Sequence, residues 1–386
     1  MTATAPQAGF PRTRPKDRKR QIVLHARDLF VERGFPGVSM SSIADRVGIS
    51  AGALYRHFPS KAELLQGVFA DSFSYLSDPI AADDFEAFVD TAVQRVGPHP
   101  YVGELWARES RYLPKRSQEE LRGAIRAWTH AFIPPLASHR PALDAGQAEL
   151  LAWAFQSALA CLAGGELCVE RESRRSSVRD AIVRLAAAKL EPTGAPRVPP
   201  SRGVLPASRR ERVLLAAVAQ FGERGFREVS MADIGAEAGV TGPNLYGYFE
   251  SKAHLLQAVY ERGVHAAWLA LDRALSTASS PEEAIEHLVA SHLELPAVWT
   301  RVRGDLVAHV HDAEAVRTAQ REYVAEWVVL LRELDPALEP GEARLRVAIA
   351  LATISDLTST PRLAQAESFA ANVAILATAV LKGGSS

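Results

Sequence analysis

Cysteine is almost absent: Cys161 and Cys168 are the only two in 386 residues. They lie seven apart in one stretch of helical pattern. Neither a disulfide scaffold nor a cysteine-based zinc site can be built from them, and a reducing cytoplasm fits best. Both read as buried fillers. No run of about 18 uncharged apolar residues occurs, which excludes a membrane-spanning helix. The opening MTATAPQAGFPRTRPKDRKR is rich in Pro and Arg and has no apolar centre, unlike a secretory signal. Excess charge is missing too, with 44 basic and 45 acidic residues. Enzyme signatures are also missing: there is no Walker loop, no GxGxxG after a strand, no GxSxG and no HExxH. The chain therefore reads as a non-enzyme without cofactor. Nor is a metal site expected, because His309 and His311 would face different sides of a helix. Glu166, Glu170 and Glu172, interleaved with Arg171, Arg174 and Arg175, read as a solvated face.

What is present is a repeat. Arg18–Phe69 aligns without a gap on Arg209–Tyr260, an offset of 191 residues, with 23 identities in 52 positions. A period of half the chain is a duplicated domain and not a solenoid of short units. Between the copies lies EPTGAPRVPPSRGVLPAS, whose five prolines cannot form a helix interior. It reads as a semi-rigid linker over 191–207, with a reach of roughly 50 Å at about 3.1 Å per residue. Residues 1–15 read as a disordered basic arm. The rest is helical in pattern, with apolar residues at helical spacing over 147–162 and 344–357 and no hairpin signal. The predicted fold is all-α. Its divisions fall at 16–75, 76–190, 208–263 and 264–382, with linker and arm outside them.

Within the first copy, Ile22, Val23, Ala26, Leu29 and Phe30 predict a helix that stops at Gly34. Ser39 then caps a short helix 40–47, Gly48 permits a sharp turn, and Ser50 caps a second short helix 51–57. Ser60 opens a fourth helix. Two short helices around a glycine turn, with small Ala44 at their closest approach, make a helix-turn-helix. The second copy repeats the plan with Ser230, Gly235, Gly239, Thr241 and Ser251.

At this point the string becomes specific. IADRVGISAGALYRHFPSKAELL resembles the DNA-binding signature of the TetR family of one-component bacterial regulators, and IGAEAGVTGPNLYGYFESKAHLL is similar. Each carries L-Y-x-x-F-x-S-K after the turn. The resemblance covers about 50 residues in each half. It implies two TetR-like units, each a three-helix DNA-binding domain followed by a helical ligand-binding and dimerisation domain. Double-stranded operator DNA and a small-molecule effector are the implied partners, with a ligand-released repressor as the expected function.

A recognition helix puts its N-terminal residues at base edges in the major groove. In the first head the DNA-facing set is Ser39, Ser50, Ala51, Gly52, Ala53, Tyr55, Arg56, His57 and Lys61. Arg56 suits either guanine, bidentately, or a phosphate. By the resemblance, Tyr55 takes a phosphate or a thymine, and His57 and Lys61 hold phosphates. In the second head the set is Ser230, Thr241, Gly242, Pro243, Asn244, Tyr246, Tyr248 and Lys252. Gly247 stands where the first head has Arg56, and Asn244 suits adenine. From Pro11 to Lys61 there are eleven basic and four acidic residues, but from Arg202 to Lys252 seven and six. Phosphate neutralisation dominates affinity, so the first head is expected to bind more tightly. The run Arg12–Arg20 either reaches the minor groove or is a solvated tail.

Each half resembles one protomer, so one chain can act as an intramolecular pseudo-dimer reading an asymmetric operator. The alternative is a homodimer with four heads. A further alternative is a ligand-binding or interaction protein with one or both heads vestigial. Candidate pocket aromatics are Trp106, Tyr112, Trp128, Trp153 and Phe155 in the first half, and Trp268, Trp299, Tyr323 and Trp327 in the second. They suggest a lipophilic or aromatic effector, although aromatics at helical spacing also serve as plain core.

Overall fold

A computed structural model describes residues 15–99, 101–163, 171–196, 204–226, 228–240, 242–295 and 313–383. Among these residues the regular elements are helices, and the only bridge is the isolated pair Pro196–Ala366. Residues 1–14 of the expected basic arm, Cys168, His309 and His311 lie outside them, while Pro15 opens a helix. The chain divides into two compact units. One joins residues up to Ser74 with Glu104–Arg122, and the other holds Tyr75–Gly103 and everything from Gly123 onward.

The first unit is built on α1 (Pro15–Arg33), α2 (Met40–Val47), α3 (Ala51–His57) and α4 (Lys61–Ser72). The bounds of α2 and α3 coincide with those predicted, because caps mark them. Ser39 accepts from the Ser42 amide, Ser50 from Ala53, and Ser60 from Glu63. Ile22, Ala26 and Phe30 of α1 meet Ile43 of α2, Leu54 of α3 and Leu64 and Leu65 of α4 in one core, all fully buried. α6 (Val102–Glu109), from Glu104 onward, and the turn Ser110–Tyr112 also belong to this unit.

In the second unit, α11 (Arg209–Arg224), α12 (Met231–Ala238), α13 (Gly242–Tyr248) and α14 (Lys252–Thr277) repeat the four-helix plan. Their own core runs from Val213 and Phe221 through Ile234, Leu245 and Phe249 to Leu255 and Val259. The fourth helix differs between the copies. α4 ends after 12 residues, whereas α14 runs unbroken for 26.

The remaining helices of the second unit are α5 (Phe85–Val96), α7 (Lys115–His130, from Gly123 onward), α8 (Ile133–His139), α9 (Ala145–Ala160), α10 (Arg171–Ala187), α15 (Pro281–Glu294), α16 (Ala313–Leu334), α17 (Pro340–Thr358) and α18 (Phe369–Lys382). Pro134 and Pro135 sit in the first turn of α8, where a missing amide costs nothing. The last two helices of each half pack together: α9 and α10 against α17 and α18. Leu151, Ala154, Ala158, Val178, Ile182, Leu345, Ile349, Val373 and Leu376 fill this bundle with no exposed surface. The opening of the proline-rich linker is not a loose tether. Glu191–Pro196 is hydrogen-bonded to helices of both halves.

Candidate nucleic-acid interface

Two glycines in the left-handed region make the turns that set the recognition helices. Gly48 has φ +73° and Gly239 has φ +65°, and each donates its amide back to its helix as a C-cap. The chain then re-enters helix through Ile49, whose amide bonds Ala44 O at 3.0 Å, and through Val240, whose amide bonds Gly235 O at 2.9 Å. The second turn is the tighter. A Cβ on Gly235 would stand 2.8 Å from Val240 O, a contact that backbone cannot relieve cheaply. The first head has Ala44 at this place, 1% exposed.

With the turn fixed, α3 buries Leu54 and turns Ala51, Gly52, Tyr55 and Arg56 to solvent, while Ala53 and His57 are half-buried. In α13 Leu245 is buried, Asn244, Tyr246 and Gly247 are exposed, and Tyr248 packs half-buried against the head's core. Gly242 and Pro243 form the first turn of α13, and Thr241 lies outside the described residues. Tyr55 is 50% exposed and Tyr246 55%, large for aromatic side chains and similar in the two heads. Beside Tyr55 the first head has an open depression of about 530 Å³ lined by Ser39, Ser60 and Lys61. The N-termini of α2 and α4 both open onto it, and free helix amides favour an anion there.

The two lysines expected at phosphates have another duty. Lys61 Nζ donates to Phe35 O and Val38 O, each at 2.8 Å, and lies 4.3 Å from the centre of the Phe35 ring. Lys252 Nζ does the same with Phe226 O at 2.8 Å, Val229 O at 2.9 Å and the Phe226 ring at 4.4 Å. Each ammonium therefore staples the loop that leads into the helix-turn-helix. Burial lowers the Lys61 pKa, and the Glu109 carboxylate works against that shift. A second repeated contact is also cationic. Lys19 lies 5.1 Å from the Phe58 ring and Arg210 lies 4.8 Å from Phe249.

Sequence reasoning missed Glu109. It is 3% exposed, and its carboxylate accepts the Phe35 amide at 3.0 Å. Arg108 donates to Val31 O at 3.1 Å, and Tyr112 stacks on Phe35 at 4.7 Å. Lys61 and Glu109 thus hold the carbonyl and the amide of one residue, just ahead of Ser39. No motif signals this, because the partners are 74 residues apart.

The candidate pocket aromatics do not form one site. Trp106 and Tyr112 belong to the first unit, where Trp106 meets Phe73 edge-on at 6.3 Å. Trp128 and Phe155 lie in the second unit, each packed on Phe132, and both are 4% exposed or less. Trp153, on the same helix as Phe155, is half-buried. In the second half Trp268, Tyr323 and Trp327 do come together, around a residue not foreseen, His292. Tyr323 Oη lies 3.3 Å from His292 Nδ1. Burial pushes the His292 pKa down to about 4 and the Tyr323 pKa up to about 12, so both are neutral at pH 7. Trp299 lies outside the described residues. The Cys161 thiol is pushed up to about 12 by burial, which suits a filler and not a reactive thiol.

The model of the bacterial regulatory proteins of the tetR family matches twice, at residues 22–68 and 213–259. The HTH-type transcriptional activator FasR of Mycolicibacterium smegmatis is 46% identical over 55 residues, 14% of this chain and 25% of that protein. The HTH-type transcriptional repressor KstR2 of the same organism is 27% identical over 134 residues, 33% of this chain and 65% of that protein. The chain thus spans less than two thirds of either relative. A TetR-family regulator from Bordetella parapertussis is a solved structure with 21% identity and a TM-score of 0.41, covering 46% of this chain and 96% of that one. Among the described residues no helix is long and apolar enough to cross a membrane. Two family matches on two copies of one helix-turn-helix show that the chain carries two DNA-binding domains of the tetR family of bacterial regulatory proteins in tandem.

Proposed function

We propose that the chain is a cytoplasmic, ligand-released repressor that reads an asymmetric operator as a pseudo-dimer within one polypeptide. The observation that carries this is the pairing of unlike heads with a shared bundle. Each half supplies one helix-turn-helix, and the last two helices of each half pack on those of the other. A two-fold regulator normally obtains that arrangement from two chains. The exposed residues differ between the recognition helices, Arg56 against Gly247 above all, so unlike half-sites are expected. Bidentate Arg56 favours guanine and Asn244 favours adenine. Half-sites about 34–36 Å apart would suit the tethered heads. The DNA-facing side chains are Tyr55, Arg56 and His57 in the first head, and Asn244, Tyr246 and Tyr248 in the second.

For the effector, the cluster of Trp268, His292, Tyr323 and Trp327 supports a largely apolar or aromatic molecule with one hydrogen-bonding group. Its binding would shift the population of DNA-competent states. A second reading, a vestigial second head, is favoured by Gly247 and by the near-neutral charge of that head. Selection of bound fragments from random DNA, followed by footprinting, separates the two. One protected site with two dissimilar halves is expected. A palindrome matching the first head alone would support the vestigial reading, and no enrichment at low salt would remove the regulator reading altogether.

A further inference from the structure

The start of the interdomain segment lies in a polar groove formed by one helix end from each half. On one side, Asp144 and Gln147 close the N-terminus of α9. The Asp144 carboxylate accepts the Thr193 amide at 2.9 Å and the Thr193 hydroxyl at 2.5 Å. Gln147 Nε2 donates to Leu190 O at 3.2 Å and Glu191 O at 2.9 Å. A Cβ on Gly146 would collide with Thr193, so the helix end is bare where the segment crosses it. On the other side stand Ser368 and Asn372 of α18. Asn372 Oδ1 accepts the Glu191 amide at 2.7 Å, and Asn372 Nδ2 donates to Glu191 O at 2.9 Å. Ser368 Oγ donates to Thr193 O at 3.2 Å, and the Glu367 amide donates to Ala195 O at 3.2 Å. Arg140 fixes where the chain leaves α10 by donating to Ala186 O and Ala188 O.

Gln147, Ser368 and Asn372 are 7%, 9% and 2% exposed. Buried polar groups of this kind are costly when unpaired. Most of their partners here are backbone groups of residues 190–195. Burial acts to raise the Asp144 carboxyl, yet the hydrogen bonds from Thr193, Gln147 and Gly146 outweigh it and hold it below the usual range. The groove needs Asp144 and Gln147 from the first half and Ser368 and Asn372 from the second. Two first halves paired together would lack Ser368 and Asn372. Two second halves would lack Asp144 and Gln147.

We propose that this groove is a docking site for the chain's own 190–195 segment, and that its occupancy commits the two unlike halves to each other in preference to like pairing with a second copy. The proposal rests on the pseudo-dimer reading above. It makes the linker a pairing code as well as a tether, and so a guardian of the asymmetric arrangement of heads.

The test uses the full chain, as wild type, as the double variant Asn372→Ala/Ser368→Ala, and as Thr193→Val, which leaves the helices untouched. Hydrogen exchange reads the Glu191 and Thr193 amides, and light scattering reads mass over a wide concentration range. The wild type should protect both amides and keep the mass of one 41.8 kDa chain. The double variant should exchange both amides at least tenfold faster and form dimers as concentration rises. Thr193→Val should shift both readouts in the same direction by less, and it stands as the test if the double variant fails to fold. Unprotected amides in the wild type, or a released segment in a chain that stays monomeric, would overturn the pairing role. A wild type that is dimeric with both amides protected would overturn the pseudo-dimer reading beneath it.

Discussion

The two heads share a scaffold and differ in what they show to solvent. Ser39 and Ser230 cap alike, Gly48 and Gly239 turn alike, and Lys61 and Lys252 staple their loops alike. Even the cation over the buried phenylalanine recurs, as Lys19 on Phe58 and Arg210 on Phe249. These features make the head fold, and duplication has kept them. The exposed faces have parted: Arg56 has become Gly247, and Ala53 has become Asn244. The attachments have parted as well, with a 12-residue α4 against a 26-residue α14. The difference teaches that the lysine of the S-K pair serves the fold first, since it is retained with its carbonyl partners in both heads. The residues free to diverge are those that the core does not hold.

The sharpest way to break the comparison is at the recognition face. Arg56→Ala should weaken binding to a selected operator by roughly five- to 150-fold, if the side chain reads a base at about 1–3 kcal/mol. The reverse change, Gly247→Arg, should tighten binding and steepen its salt dependence by about one unit of slope, if the new guanidinium meets a phosphate. Salt titrations of both variants against the wild type check this. Equal, small effects would mean that the two faces contribute alike.

Next in size is the turn. Gly235→Ala should destabilise the second head by about 1–3 kcal/mol, because the new methyl meets Val240 O. Ala44→Gly should cost the first head only about 0.5–1 kcal/mol. Amide exchange in α12 and α2 reads the two heads separately, and similar losses would show that the closer approach in the second head does not matter.

The smallest effect concerns the aromatic cores. The first half centres on Phe88, Phe132 and Phe155, and the second contains His292 against Tyr323. His292 has a folded pKa near 4, below the ordinary 6.5. The unfolded chain therefore binds the extra proton first, and stability contributed by neutral His292 is lost as pH falls from about 6.5 towards about 4. His292→Leu should flatten that part of the melting curve against pH. An unchanged acid slope would show that other groups set it.

Much of the heads was legible because their signals are local. A Ser cap, a Gly turn and apolar residues three and four apart act within one helical turn, so α2 and α3 are placed to the residue. The lysine staple was not legible: Lys61 binds carbonyls 26 and 23 residues away, and the resemblance alone suggested a phosphate. Glu109 was hidden for the same reason. The pocket aromatics were chosen by type, but helical phase does not tell which bundle face a ring meets. Trp106 and Tyr112 therefore separated from Trp128 and Phe155, while His292 joined Tyr323 and Trp327 unannounced.

By itself the sequence determined the duplication, the all-helical class, the two reading heads and their unequal charge, because each depends on neighbours along the chain. Tertiary structure alone decided that the late helices of the halves form one bundle and that Glu191–Pro196, the opening of the proline-rich linker, is seated between Asp144 and Asn372. Those outcomes rest on side chains that meet only after folding: apolar ones such as Leu151, Ile182 and Ile349 fill the bundle, and around the segment burial makes an unpaired polar group costly and so favours the arrangement that satisfies it.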